Sequence, residues 1–126
     1  MKPERTLQEA YDDPLGVTAA FNCNVLARVN RELGADFELG AFRHEARWNP
    51  RESRMEMHLV STRAQRVHVP GAGVTSTFEA GESIWTESSY KYEPEQIVAM
   101  GREAGLHSRA QWIDPDARFA LTLFIR

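Results

Sequence analysis

Two polar residues on one strand-like run offer the clearest chemistry in this sequence. In Ser83-Ile84-Trp85-Thr86-Glu87-Ser88-Ser89-Tyr90-Lys91-Tyr92, strand alternation puts Trp85, Glu87, Ser89 and Lys91 on one face. Ile84, Thr86, Ser88, Tyr90 and Tyr92 take the other. The Glu87 carboxylate and the Ser89 hydroxyl then point the same way, about 7 Å apart along the strand. Such a pair can read a small ligand that carries N–H donors. The competing reading is a solvated strand face.

Other chemistries find less support. Gly71 and Gly73 in Pro70-Gly71-Ala72-Gly73 lack a third glycine and lead into no helical pattern, which argues against a nucleotide loop. His44, His58, His68 and His107 have no second His or Cys at metal-ligand spacing, so no metal site is expected. No Ser/His/Asp signature of nucleophilic catalysis is present.

The elements that must position Glu87 and Ser89 follow from periodicity. Glu4–Asp12 reads as a short helix through Leu7, Ala10 and Tyr11. A second helix is expected over Pro14–Leu33, with Asp13 as N-cap and Gly34 as left-handed cap. Its expected apolar face is Leu15, Phe21, Val25, Val29 and Leu33, with Ala19 and Leu26 beside them. Phe37–His44 is expected to form a further short helix. Ala46–Trp48 and Met55–Val60 read as strands joined across Asn49-Pro50-Arg51-Glu52-Ser53. Arg66–Val69 follows as a third, and Thr75–Phe78 is expected to pair with the Ser83–Tyr92 run across Glu79-Ala80-Gly81-Glu82. Glu93-Pro94-Glu95 opens a helix through Ala104, ended at Gly105. Arg109–Ile113, a polar turn and Phe119–Ile125 close the chain. The last run is apolar on both faces, the mark of a strand inside a larger sheet.

The 126 residues are 42% apolar and 26% charged with a formal charge of −3, an ordinary globular composition of one domain. That charge gives no support for nucleic-acid or membrane attraction. Cys23 is the single cysteine, which excludes an intrachain disulfide and fits a reducing, cytoplasmic compartment. No apolar run approaches 18 residues, and Met1-Lys2-Pro3-Glu4 has no signal-peptide pattern.

Several blocks resemble a known family. Ala10-Tyr11-Asp12-Asp13, Gly16-Val17-Thr18-Ala19-Ala20-Phe21-Asn22 and the run from Asn24 to Phe37 are similar to one block of the histidine-specific, S-adenosylmethionine-dependent Nα-methyltransferases of ergothioneine biosynthesis. The likeness continues through Glu56-Met57-His58-Leu59-Val60-Ser61 and the segment from Gly81 to Tyr92, and so covers nearly the whole chain. The resemblance implies that Tyr11 binds the amino-acid head group of histidine, that Met57 packs on the substrate, and that Glu87 and Ser89 bind the imidazole ring. Thr18 is a weaker candidate for the same pocket. Imidazole offers an N–H donor and an acceptor, which a carboxylate and a hydroxyl can read together.

The family's cofactor site lies in an N-terminal doubly wound domain that supplies a glycine-rich loop, an acidic ribose ligand and an Asn on the substrate amine. None of these is recognisable here, so the resemblance implies the C-terminal, substrate-recognition part of the enzyme. S-adenosylmethionine is then the cofactor of the complete enzyme, with none bound by this chain alone. The expected fold is α+β: N-terminal helices, a curved antiparallel sheet, then a helix and a terminal β-hairpin. The expected partners are L-histidine or its methylated forms, and a separate cofactor-binding chain or a second copy. A free-standing small-ligand-binding module without turnover is the alternative.

Overall fold

The computed structural model describes residues 2–126. They form two compact units, residues 4–89 and a second made mainly of residues 90–126. The first contains α1 (Glu4–Tyr11), α2 (Val17–Leu33), β1 (Phe42–Asn49), β2 (Arg54–Ser61), β3 (Gln65–Val69), β4 (Val74–Phe78) and β5 (Ser83–Tyr90), whose last residue falls in the second unit. β1, β2 and β5 make one sheet with β2 in the centre, and β3 and β4 make a separate hairpin.

The β1–β2 register explains which side chains meet the helices. Phe42, His44, Ala46 and Trp48 lie opposite Ser61, Leu59, Met57 and Met55, and this face packs under α1 and α2. Leu7, Met55 and Met57 form one cluster, with Tyr11, Ala46 and Trp48 against it. Leu26, Phe42 and Leu59 form a second, with Cys23, Phe37, Phe78 and Ile84 around it. Burying each large side chain of these clusters contributes about 1.5–3 kcal/mol. The opposite face carries Arg43, Glu45, Arg47 and Asn49 across from Val60, His58, Glu56 and Arg54. Here Arg54 and Arg47 pair with Glu56 and Glu45 at 2.8 and 2.6 Å.

Three expectations are corrected. Phe37–His44 is not a helix: a single 3-10 turn at Leu39–Ala41 leads into β1, because Phe42, Arg43 and His44 pair with Ser61, Val60 and Leu59. β4 pairs with β3, from Gln65↔Phe78 to Val69↔Val74, and leaves β5 to the free side of β2. There the Ser61 amide donates to the Glu82 carbonyl at 2.8 Å, and Thr86 reaches the Met57 carbonyl at 2.9 Å, so β5 runs antiparallel to β2.

The third correction concerns α2. It starts at Val17 rather than Pro14, with Gly16 rather than Asp13 at the N-cap, although the Asp13 carboxylate reaches the first turn and accepts from the Val17 and Thr18 amides at 3.0 and 2.8 Å. Those two bonds, Thr18 first, hold the Asp13 carboxyl down at about 2. Gly34 closes the helix in the left-handed conformation. The buried face is Asn22 and Leu26, while Val17, Phe21 and Val25 stand outward at 64%, 68% and 45% exposure. The expected apolar stripe therefore points away from the sheet.

In the second unit, α3 (Pro94–Glu103) opens on a reciprocal capping box between Glu93 and Gln96. It packs on the hairpin of β6 (His107–Asp114) and β7 (Phe119–Ile125). Phe124 lies over Gly101, where a Cβ would fall 2.0 Å from its ring, so only glycine admits this approach. Ala120, Thr122 and Phe124 turn inward, whereas Phe119, Leu121, Leu123 and Ile125 remain exposed. The α+β class expected from the sequence is the one observed, with its strands divided among three sheets rather than one meander.

Candidate functional site

Tyr11 is the last residue of α1, and its hydroxyl meets the Ser89 hydroxyl of β5 at 2.6 Å across 78 positions of chain. The Tyr11 ring packs on the cluster of Leu7, Met55 and Met57, and Met57 is itself buried at 2% exposure. Three of the four residues singled out in the sequence are thus brought together, with Met57 beneath and the two hydroxyls in contact. Glu87 is placed apart from this contact. It is exposed on β5, and its carboxylate makes no hydrogen bond or ion pair among the described residues.

The face of β5 next to Glu87 is settled by its neighbours. Ile84 and Thr86 turn toward the helices, where Ile84 joins the Leu26 cluster and Thr86 bonds Asn22. Trp85 turns to the polar face, sandwiched between His58, at 6.1 Å between ring centroids, and the Arg54 guanidinium at 4.4 Å. Alternation groups Glu87 with Trp85. Strict alternation would also group Ser89 with them, yet its hydroxyl contacts Tyr11 of the helix layer at the end of the strand. Thr18 sits at the start of α2 with its amide held by Asp13.

Periodicity gave no signal for the polar residues behind Tyr11. Asn22, 5% exposed in the core face of α2, contacts His44 Nδ1 at 2.9 Å and the His58 carbonyl at 3.2 Å. Thr86 donates to Asn22 Oδ1 at 2.7 Å. His44 Nε2 lies 2.8 Å from the Tyr11 carbonyl, one of the carbonyls that α1 leaves without an intrahelical donor. The only sequence cue was parity, since His44 shares the apolar face of β1 with Phe42, Ala46 and Trp48.

A second polar group, Ser83–His58–Glu56, lies on the opposite face. Ser83 Oγ is 3.2 Å from His58 Nδ1, and Glu56 Oε2 is 3.4 Å from Nε2. Arg47 approaches the same Nδ1 at 3.5 Å, while Glu56 is held by Asn49 and Arg54 at 2.9 and 2.8 Å. The Asn49 bond, with Arg54 and His58 adding to it, keeps the Glu56 carboxyl below the usual range. This is an ion-pair ladder on a sheet face rather than an activated nucleophile. Among the described residues no group of His, Cys, Asp or Glu is arranged to hold a metal ion. A hollow of about 360 Å³ beside α1 is lined by Gln8, Glu9, Asp12 and Ala46.

A family model described as histidine-specific methyltransferase, SAM-dependent, matches residues 1–126. The chain belongs to this family. The histidine N-alpha-methyltransferase of Mycolicibacterium smegmatis is 51% identical over 126 residues, which are 100% of this chain and 39% of that protein. The enzyme of the same name from Mycobacterium tuberculosis is 49% identical over 123 residues, 98% of this chain and 38% of its own length. An N-methyltransferase, imqF, of Aspergillus flavus is 26% identical over 112 residues, 88% and 30% of the two chains. This member of the histidine-specific methyltransferases thus spans about two fifths of its mycobacterial relatives, matching their C-terminal part. S-adenosylmethionine is the methyl donor that the family description names. In the present chain Pro70–Gly73 turns a β-hairpin rather than opening a helix, so that segment does not fit a loop for the cofactor.

Proposed function

We propose that this chain is the substrate-recognition portion of an S-adenosylmethionine-dependent L-histidine Nα-methyltransferase. Tyr11 binds the head group of the amino acid, and Glu87 and Ser89 read the imidazole. Met57 forms the apolar floor that holds the Tyr11 ring. The contact of Tyr11 with Ser89, far apart in sequence and together in space, is the observation that carries this reading.

Each group has the chemistry its role needs. Glu87 offers a carboxylate that no described protein group engages, an acceptor for an imidazole N–H. The hydroxyl of Ser89 can supply the complementary donor. An apolar side chain of similar size would leave that carboxylate unpaired, which is how such a site discriminates. Methyl transfer further needs the α-amine aligned with the sulfonium methyl, so holding both ends of histidine supplies part of the rate. The cofactor is held outside this chain, by a separate polypeptide or a preceding segment. The chain acts in the cytoplasm, and its product serves ergothioneine biosynthesis.

The test is a fusion of this chain to the N-terminal portion of the M. smegmatis relative, assayed with S-adenosylmethionine and L-histidine. Methylation of the histidine α-amine is expected, and Glu87→Ala should raise the histidine KM at least about tenfold, the equivalent of one lost charge-assisted hydrogen bond. A folded, cofactor-binding fusion that methylates no histidine would overturn the proposal, and so would a Glu87→Ala fusion with unchanged KM.

A further inference from the structure

We propose that Asn22 and His44 are positioning residues of the histidine site, fixing Tyr11 and β5 relative to one another through a closed ring of hydrogen bonds. The inference rests on the reading of Tyr11, Glu87 and Ser89 as the histidine site and extends it to residues that touch no substrate.

The directions of the bonds follow from one fixed point. The His58 carbonyl can only accept, so the Asn22 atom 3.2 Å from it is the amide nitrogen Nδ2. The same nitrogen lies 2.9 Å from His44 Nδ1, which must therefore accept. A neutral imidazole that accepts at Nδ1 carries its proton on Nε2, and Nε2–H faces the Tyr11 carbonyl at 2.8 Å, another obligate acceptor. On the other side of the amide, Asn22 Oδ1 accepts from Thr86, whose hydrogen is shared with the Met57 carbonyl. Every position in the network has one role, and no role conflicts with its neighbour. Among the described residues no buried side-chain nitrogen or oxygen lacks a partner.

The ring links the two halves of the proposed site. It runs from Asn22 on α2 to His44 on β1, to the Tyr11 backbone, through the Tyr11 ring to Ser89, and along β5 to Thr86, which returns to Asn22. Tyr11 is held at its carbonyl by His44 and at its hydroxyl by Ser89, so its ring is aimed from both ends. Thr86 is held one residue from Glu87, which sets the facing of that carboxylate. Apolar residues at positions 22 and 44 would fill the same space in this core face. What they would lose is the directionality, because hydrogen bonds constrain angle where apolar contact does not.

The test compares two replacements of His44 in the fusion described above. His44→Gln places an amide donor and acceptor where the ring nitrogens stood, whereas His44→Leu removes both. The expected result is a histidine KM raised about tenfold or more in His44→Leu, with the S-adenosylmethionine KM unchanged, and restored to within about threefold in His44→Gln. A folded His44→Leu fusion with wild-type histidine KM would sink the inference. So would His44→Gln behaving like His44→Leu, or imidazole nitrogen NMR of the 126-residue chain that finds His44 protonated on Nδ1. Those NMR spectra need no variant. Glu87→Ala reads the site itself: raised KM there with normal His44→Leu kinetics removes the positioning role alone, and unchanged KM in Glu87→Ala removes the histidine site.

Discussion

Replacing Asn22 by leucine should destabilise residues 4–89 far more than a loss of polarity in an apolar core would suggest. Leucine has the same branched, four-heavy-atom side chain as asparagine but is bulkier, so the change opens no cavity. It leaves one acceptor facing a hydrocarbon, His44 Nδ1 at 2.9 Å from the former amide nitrogen, whereas the His58 carbonyl, 3.2 Å from that nitrogen, still faces the Glu45 amide across the β1–β2 ladder. Thr86 keeps the Met57 carbonyl at 2.9 Å and is not orphaned. One orphaned acceptor costs about 1–3 kcal/mol, and the strain of fitting the larger leucine offsets its better burial, for a net cost of about 1–3 kcal/mol. With a urea dependence of about 2 kcal/mol per molar, the unfolding midpoint should fall by about 0.5–1.5 M. The decisive measurement is the double variant. Adding His44→Leu removes that orphaned acceptor, so Asn22→Leu with His44→Leu should cost about 1–2 kcal/mol less than the sum of the single changes. Urea titrations followed by circular dichroism supply all four stabilities. Additivity within about 0.5 kcal/mol, or an Asn22→Leu cost below about 0.5 kcal/mol, would refute the assigned hydrogen-bond directions.

Tyr11→Phe and Ser89→Ala each delete the same 2.6 Å bond, so each should cost about 1 kcal/mol and the pair together little more than either one; a thermodynamic cycle in urea checks this. Asp13 has its carboxyl lowered from 3.8 to about 2 by the Thr18 and Val17 amides, so its support of α2 is complete above the ordinary value and disappears as pH falls through about 2. Amide exchange should therefore show Val17 and Thr18 still protected at about pH 3 in the native chain and unprotected there in Asp13→Ala. The outward row Phe119, Leu121, Leu123 and Ile125 should make the isolated chain self-associate, with Leu121→Glu plus Leu123→Glu shifting it to monomer in sedimentation; a wild-type monomer at about 100 μM would contradict this.

Much of the local structure was legible because it rests on local rules. The helix start at Glu93-Pro94-Glu95, the left-handed Gly34 and the Asn49 turn are all set by residues within a few positions of one another. What failed depended on partners far along the chain. Counting apolar residues selected Phe21 and Val25 as the inner face of α2, but the inner face holds Asn22, whose amide is satisfied by β1, β2 and β5. The end of the Phe37–His44 segment, Phe42 to His44, has no strand alternation of its own and joins β1 only because β2 offers a ladder. For the candidate site, the period-two pattern put Glu87 and Ser89 on one strand but gave no link to Tyr11. That these residues belong to one pocket came from family resemblance alone, and their direct contact across 78 residues was not foreseen.

The hydroxyl contact of Tyr11 with Ser89 also bears on where affinity can come from. A histidine inserted at the proposed site meets two groups already satisfied by each other, so its bonds to them are an exchange in which one partner leaves as another arrives. Such an exchange contributes little net free energy, much as water displaced by an equal ligand group contributes little. Among the described residues the carboxylate of Glu87 has no protein partner to give up, so there the ligand displaces only water. In the proposed site Tyr11 and Ser89 would then be a latch that sets how readily it opens, and Glu87 would set how tightly it holds.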